Sequence, residues 1–208
     1  MKIPLAYLAA LVASPLAVVV PAPVSAQEAD PVLPPLQLRG GTPFAYCLTD
    51  TAAEALRGAG FTFDAVAPAT LGTENGHQCM KATLENGQIN TDLTGLTGSA
   101  KGGFALRKGG KRAEFAALQL RMKLDRTGTI TAEHLGKRID TLTTSGEGIK
   151  TSLTRVSAEN TPVNLAPAAA DALTAKFGTS PLSAGQQLFS GTAGFDVLQG
   201  VTGLPTGK

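Results

Sequence analysis

Within residues 115–124 the side chains from Leu118 onward alternate apolar and polar one by one, a period that a helix cannot use. Leu118, Leu120, Met122 and Leu124 alternate with Gln119, Arg121 and Lys123, which predicts a strand with one face on a core and one in water. Asp125-Arg126-Thr127-Gly128 supplies turn chemistry, and residues 129–133 resume as strand. Turn signals then recur at short intervals, at Glu85-Asn86-Gly87, Lys108-Gly109-Gly110-Lys111 and Ser145-Gly146-Glu147-Gly148. Further strand candidates are 61–66, 80–84, 103–107, 138–142, 152–156 and 194–198. Short strands joined by tight turns predict a mainly β fold, an antiparallel β-sandwich-like domain.

Two segments depart from that period and predict two short α-helices. Residues 48–56 read as helix: Thr49 or Thr51 can cap the start, the second in a capping box with Glu54, and Gly58 and Gly60 end it. The same shape returns 117 positions later over residues 165–173. There Pro167 sits where a first turn tolerates it, and Gly178 is the stop. Leu48, Ala52, Ala53, Ala55 and Leu56 align with Leu165, Ala169, Ala170, Ala172 and Leu173, which predicts a recurring unit.

The compartment is read from the first 26 residues. Lys2 gives a positive start, Leu5 to Val20 an apolar stretch, and Val24-Ser25-Ala26 the small residues that a signal peptidase reads. Pro15 and Pro21 leave the apolar run short of the ~20 residues a membrane span needs. Residues 1–26 are thus expected to be a signal peptide, 27–43 a Pro-rich linker, 44–198 one β-rich domain and 199–208 a flexible tail. No lipobox cysteine follows the cleavage site, and Leu204-Pro205-Thr206-Gly207 does not form a sortase signal. The expected location is secreted, extracellular or loosely associated with the cell wall, with no integral membrane segment after cleavage. Losing Lys2 leaves 17 basic against 16 acidic residues, a balance that gives no reason to expect nucleic acid or an anionic membrane as partner. In an oxidising compartment the two cysteines, Cys47 and Cys79, read as one disulfide. It would close a loop worth ~3 kcal/mol in unfolded-state entropy.

The residues that chemistry would need are mostly missing. There is no Gly-x-Ser-x-Gly elbow, no phosphate loop of the form Gly-x-x-x-x-Gly-Lys-Ser/Thr, and no placed pair of carboxylates. Only His77 and His134 could serve the mature chain as a base, and His134 reads as a surface residue. His77 and Cys79 alone do not complete a metal site. Arg107-Lys108-Gly109-Gly110-Lys111-Arg112 is basic, but Phe104 and Phe115 alternate inward, so a solvated turn is expected rather than a nucleic-acid surface. Tyr46, the one tyrosine of the mature chain, carries a phenol of the kind that can ligate haem iron.

A family likeness emerges from residues 165–193. Leu165-x-x-x-Ala169-Ala170-x-x-Leu173-x-x-x-Phe177-Gly178, continuing through Ala184-Gly185 to Gly191-Thr192-Ala193, resembles the closing segment of HtaA-type domains in exported actinobacterial proteins. Gly103-Phe104, Lys108-Gly109-Gly110-Lys111 and Gly128-x-Ile130-Thr131-Ala132 fit the middle of such domains, so that the likeness spans about residues 44–198. The resemblance implies a β-sandwich-like fold with short helices and a surface or secreted role. In its best-known members it implies haem capture by a tyrosine assisted by histidine. On this chain that role would fall to Tyr46 with His77 or His134. The chain departs from the pattern in lacking a Trp-Gly opening and any histidine in the 108–111 hairpin. The expectation is therefore an exported, non-catalytic protein with an envelope or extracellular binding or structural role, and no metal or cofactor. A haem-binding module, associating with the cell wall or with haem proteins, is the alternative.

Overall fold

The computed structural model describes residues 35–38, 40–91, 95–151 and 155–196. The segments expected to be signal peptide and C-terminal tail, residues 27–34 and 39 of the expected linker, and residues 152–154 and 197–198 of two expected strands lie outside the described residues. In chain order the elements are β1 (Leu36–Leu38), β2 (Pro43–Leu48), α1 (Asp50–Gly58), β3 (Thr62–Val66), β4 (Thr70–Glu74), β5 (His77–Thr83) and β6 (Asn86–Ile89). There follow β7 (Thr97–Lys108), β8 (Lys111–Met122), β9 (Gly128–His134), β10 (Lys137–Thr144), β11 (Ile149–Thr151), β12 (Arg155–Leu165), α2 (Pro167–Phe177) and β13 (Gln187–Asp196).

The strands are antiparallel, as the hairpin rhythm predicts, and they belong to one curled sheet in the order β1-β6-β7-β8-β9-β10-β12-β13-β2-β5-β4. β11 adds to β12, and β3 adds to the free edge of β7. The layers arise because this sheet faces itself. Phe104 on β7 meets Phe189 on β13 edge-on at 5.3 Å, although four strands separate β7 from β13 in the sheet order.

Bulges do the curling. Along β8, Ala113 and Phe115 are buried, and then the buried set changes phase to Leu118 and Met122. The change falls at Ala117, whose φ is +50, where the register with β9 slips between Ala116 and Gln119. An extra residue in one strand turns its side chains over and bends the sheet. Register shifts recur at 100/103 in β7, at 140/142 in β10 and at 158/161 in β12, which makes a line of bends across neighbouring strands. Leu124, placed on the core face by simple alternation, lies beyond the end of β8 and is 59% exposed.

Both helices start two residues after a strand that ends in a buried leucine, Leu48 or Leu165. Thr49, not Thr51, is the N-cap of α1 and accepts a hydrogen bond from the Ala52 amide at 3.2 Å. Pro167 opens α2, and Gly178, with φ of +82, ends it in the left-handed conformation that glycine adopts without strain. Ala52, Leu56, Ala169 and Leu173 are the buried faces of the two helices.

The stretch expected to be a linker is partly structured. Leu36–Leu38 pairs with β6, Leu38 is buried, and β2 begins at Pro43. The proline run ends at Pro35, and the Leu-Gln-Leu alternation that follows suits a short edge strand.

Candidate functional site

Two apolar clusters fill the curled sheet. The larger joins Phe63, Phe104, Phe115 and Phe189 to the inner faces of both helices. The smaller gathers Leu38, Leu84, Ile89, Leu96, Met122, Val156 and Phe195, and Leu120 touches both. Between them lies a cleft of about 90 Å³ with almost wholly apolar walls, drawn from Leu118 and Val163 on one side and Met122 and Phe195 on the other. The number of strands contributing to so small a volume makes it a narrow slot.

Small residues keep the slot open. Gly98, Ala100, Gly191 and Ala193 all line it. A Cβ on Gly98 would come within 2.8 Å of Leu84 Cδ1, and one on Gly191 within 3.2 Å of Tyr46 Cε1. Gly191 stands directly opposite Tyr46 in the β13–β2 register. The missing side chain lets the phenol ring lie over the neighbouring strand.

Tyr46 is a wall of the slot. Its ring is stacked on Phe189 at 5.8 Å and tilted against Phe44 at 5.2 Å. Burial pushes the phenol up to about 12, because the phenolate would lose its hydration. No hydrogen bond reaches the phenol oxygen among the described residues. Two threonines add polar points to the walls. Thr144 Oγ1 accepts from the Gly146 amide at 3.4 Å, whereas Thr161, 5% exposed, has a sealed Oγ1 without a partner.

Neither histidine lines the slot. His134 is buried, not on the surface as its sequence context suggested. It is 9% exposed, stacks on Phe115 at 5.0 Å, and its Nδ1 donates to the Glu114 carbonyl at 2.8 Å. Burial, with Lys176 nearby, holds it below the usual histidine range. The alternation of β9 explains the placement, since Ile130, Ala132 and His134 share the inward face. His77 begins β5, 37% exposed, with Nδ1 3.5 Å from the Asp50 carboxylate. The structure therefore separates the three residues on which haem ligation would fall.

Cys47 and Cys79 form the disulfide, directly opposite each other on β2 and β5 with Cα atoms 3.9 Å apart. Glu74 lies beside them, 3.8 Å from Cys47 Sγ, and its carboxylate pairs with Lys81 Nζ at 2.7 Å. With both sulfurs bonded to each other, this cluster offers no thiolate to a metal.

No family model matches the chain, and no curated protein does. Among solved structures, the C-terminal domain of HtaA from Corynebacterium glutamicum superposes with a TM-score of 0.57 at 15% identity, covering 77% of this chain and 98% of that domain. The fold is HtaA-like. At that identity the likeness speaks for architecture alone. The HtaA-like fold, the disulfide and the absence of a membrane-spanning helix among the described residues are compatible with an extracellular or cell-surface protein.

Proposed function

We propose that this protein is an exported, non-catalytic binding module that receives the apolar part of its ligand in the slot beside Tyr46. The observation that carries the reading is a phenol without a hydrogen-bond partner in a narrow apolar cleft. A cleft with apolar walls and a few polar points is the usual form of a small-molecule site. Neither histidine reaches the slot: His134 donates to the Glu114 carbonyl and His77 lies beside Asp50.

Haem is the specific ligand that the HtaA-like fold favours. Tyr46 fits it as an iron donor; His77 and His134 do not reach the same place. When bound, haem iron would supply a positive centre that favours the phenolate over the phenol. Tyr46 would hold that centre unaided, and Phe44, Leu118 and Phe195 would exclude water from one edge of a flat ring system. The slot is small beside the roughly 300–1,000 Å³ of common ligand sites. Most of a macrocycle would therefore stand outside it.

Titrating haemin into the protein tests this. A Soret band that appears with wild type and disappears in Tyr46→Phe supports haem ligation. No spectral change with wild type overturns haem. An uncharged polarity-sensitive dye separates the wider reading. If the dye also fails to bind, the slot is not a binding site.

A further inference from the structure

The near-neutral balance of the mature chain conceals an uneven placement of charge. β7 and β9 both flank β8 and run antiparallel to it. The turn after β7, at Gly109-Gly110, and the turn after β9, at Leu135-Gly136, therefore lie toward one end of the sheet. Glu133 pairs with Ala116, so the second turn falls short of the first by about 15 Å, at ~3.4 Å per residue. The C-terminus of α2 reaches the same end. Phe177 packs edge-on against Phe61 at 4.9 Å, and Lys108 Nζ sits 4.9 Å from the same Phe61 ring. Lys176 lies close enough to act on His134.

At this end Lys108, Lys111, Lys137 and Lys176 pair with no carboxylate among the described residues. Asp64 is taken by Arg107 and Arg112, Glu114 by Arg112 and Glu133 by Arg138, whereas Asp140, three residues along β10 from Lys137, has no ion pair among the described residues. A second cleft, of about 380 Å³, opens between Gly60, Thr62 and the β7–β8 hairpin. Its charged walls are Arg107, Lys108, Lys111 and Arg112, with no acidic residue.

Leu135 stands in the shorter of the two turns, next to Lys137 and set back along the strands from Lys108 and Lys111. It is 81% exposed and has a φ of +50. A branched aliphatic in the left-handed region is strained, and its side chain gains nothing from water. Asparagine or glycine would suit such a turn better. Leu124, at the opposite end of β9, differs on each count. It is less exposed, is free of left-handed strain, and is followed directly by Asp125.

We propose that the end bearing Leu135 is a docking surface for an anionic phospholipid bilayer. With the strands oblique to the bilayer, so that both turns reach it, Leu135 enters the headgroup layer while the four lysines meet lipid phosphates, the combination of apolar side chain and basic surround that interfacial binding uses. The leucine selects a bilayer over a soluble polyanion, which lysines alone would hold. Each lysine near an anionic surface contributes roughly five-fold to partitioning. The inference does not depend on the ligand of the Tyr46 slot.

The test uses the full chain carrying Leu135→Cys, labelled with a polarity-sensitive dye. Both native cysteines are in the disulfide, so the label has one site. The dye reports the tip itself, whatever the apolar N-terminal segment does. A blue shift is expected with phosphatidylcholine vesicles containing phosphatidylglycerol but not with phosphatidylcholine alone, and it should collapse in about 0.5 M salt. Lys108→Glu with Lys111→Glu should raise the half-saturating lipid concentration at least ten-fold, and a dye at Leu124→Cys should stay unshifted. No shift at position 135 on anionic vesicles overturns the proposal, as does an equal shift at both positions or on both vesicle types. Salt-sensitive binding of a soluble polyanion without any vesicle-induced shift replaces the bilayer with a polymer partner and also overturns it.

Discussion

Around Phe104, Phe115 and Phe189 the interior of the curled sheet is closed; around Met122, Val156 and Phe195 it stops short of closing. The same long strands run through both halves, so strand pairing does not make the difference. Two things do. The closed half has α1 and α2 laid over it, each adding a buried Ala and Leu face, and its aromatic rings touch at 5.1 to 6.4 Å. Among the described residues the open half has no helix over it, only the short strands β1, β6 and β11 at its margin, and glycine and alanine where larger side chains would fill the slot. Aromatic packing is concentrated in one half, and the apolar slot lies beside the other.

The sharpest way to break this contrast is to excavate both halves and compare the costs. Phe104→Ala removes a fully buried ring that touches three other aromatic residues. We expect a loss of about 3–5 kcal/mol in urea unfolding, because the closed half cannot collapse onto the hole. Met122→Ala in the open half should cost about 2 kcal/mol or less, since a wall that already borders a slot leaves little new cavity surface. Equal losses in the two variants would mean that the slot is filled in solution.

The contrast was only partly legible in the sequence. Alternation and turn chemistry gave the antiparallel strands, and capping and glycine stops gave both helices, because those signals are local. The bulges were not legible. Phe115 and Leu118 cannot face the same core in a regular strand, and the slip at Ala117 that reconciles them has no residue signature, since alanine does not favour a φ of +50. The burial of His134 is illegible for a related reason. Its flanking threonines and alanines read as a polar strand, but tertiary contacts with Phe115 and Glu114 set its face. Tyr46 stands out in the sequence by its chemistry. Its position on the slot depends on Gly191, 145 residues away in sequence and opposite it in the sheet, a pairing that no local pattern encodes.

Within the open half, Thr161 offers a finer measure. Its sealed hydroxyl has no partner. Thr161→Val removes that unpaired group with little change of shape, so stability should rise by up to about 1 kcal/mol. A fall of similar size would show that a water molecule in the slot satisfies the hydroxyl, and that the open half is wet.

The smallest expected effect tests the closed half by pH. His134 is held below the usual histidine range, first by burial and then by Lys176. In the unfolded chain a histidine titrates near ~6.5. As pH falls through that value the unfolded chain takes up a proton that folded His134 still refuses, so the folded state loses stability. The loss begins near ~6.5 and is complete only once pH has passed the lower folded value. Melting temperature should therefore fall between about pH 7.5 and 5.5 in the wild type, and fall less in His134→Gln, whose amide can still donate to the Glu114 carbonyl. An unchanged slope in the variant would place His134 in contact with water, and the half that contains it would not be closed at that edge.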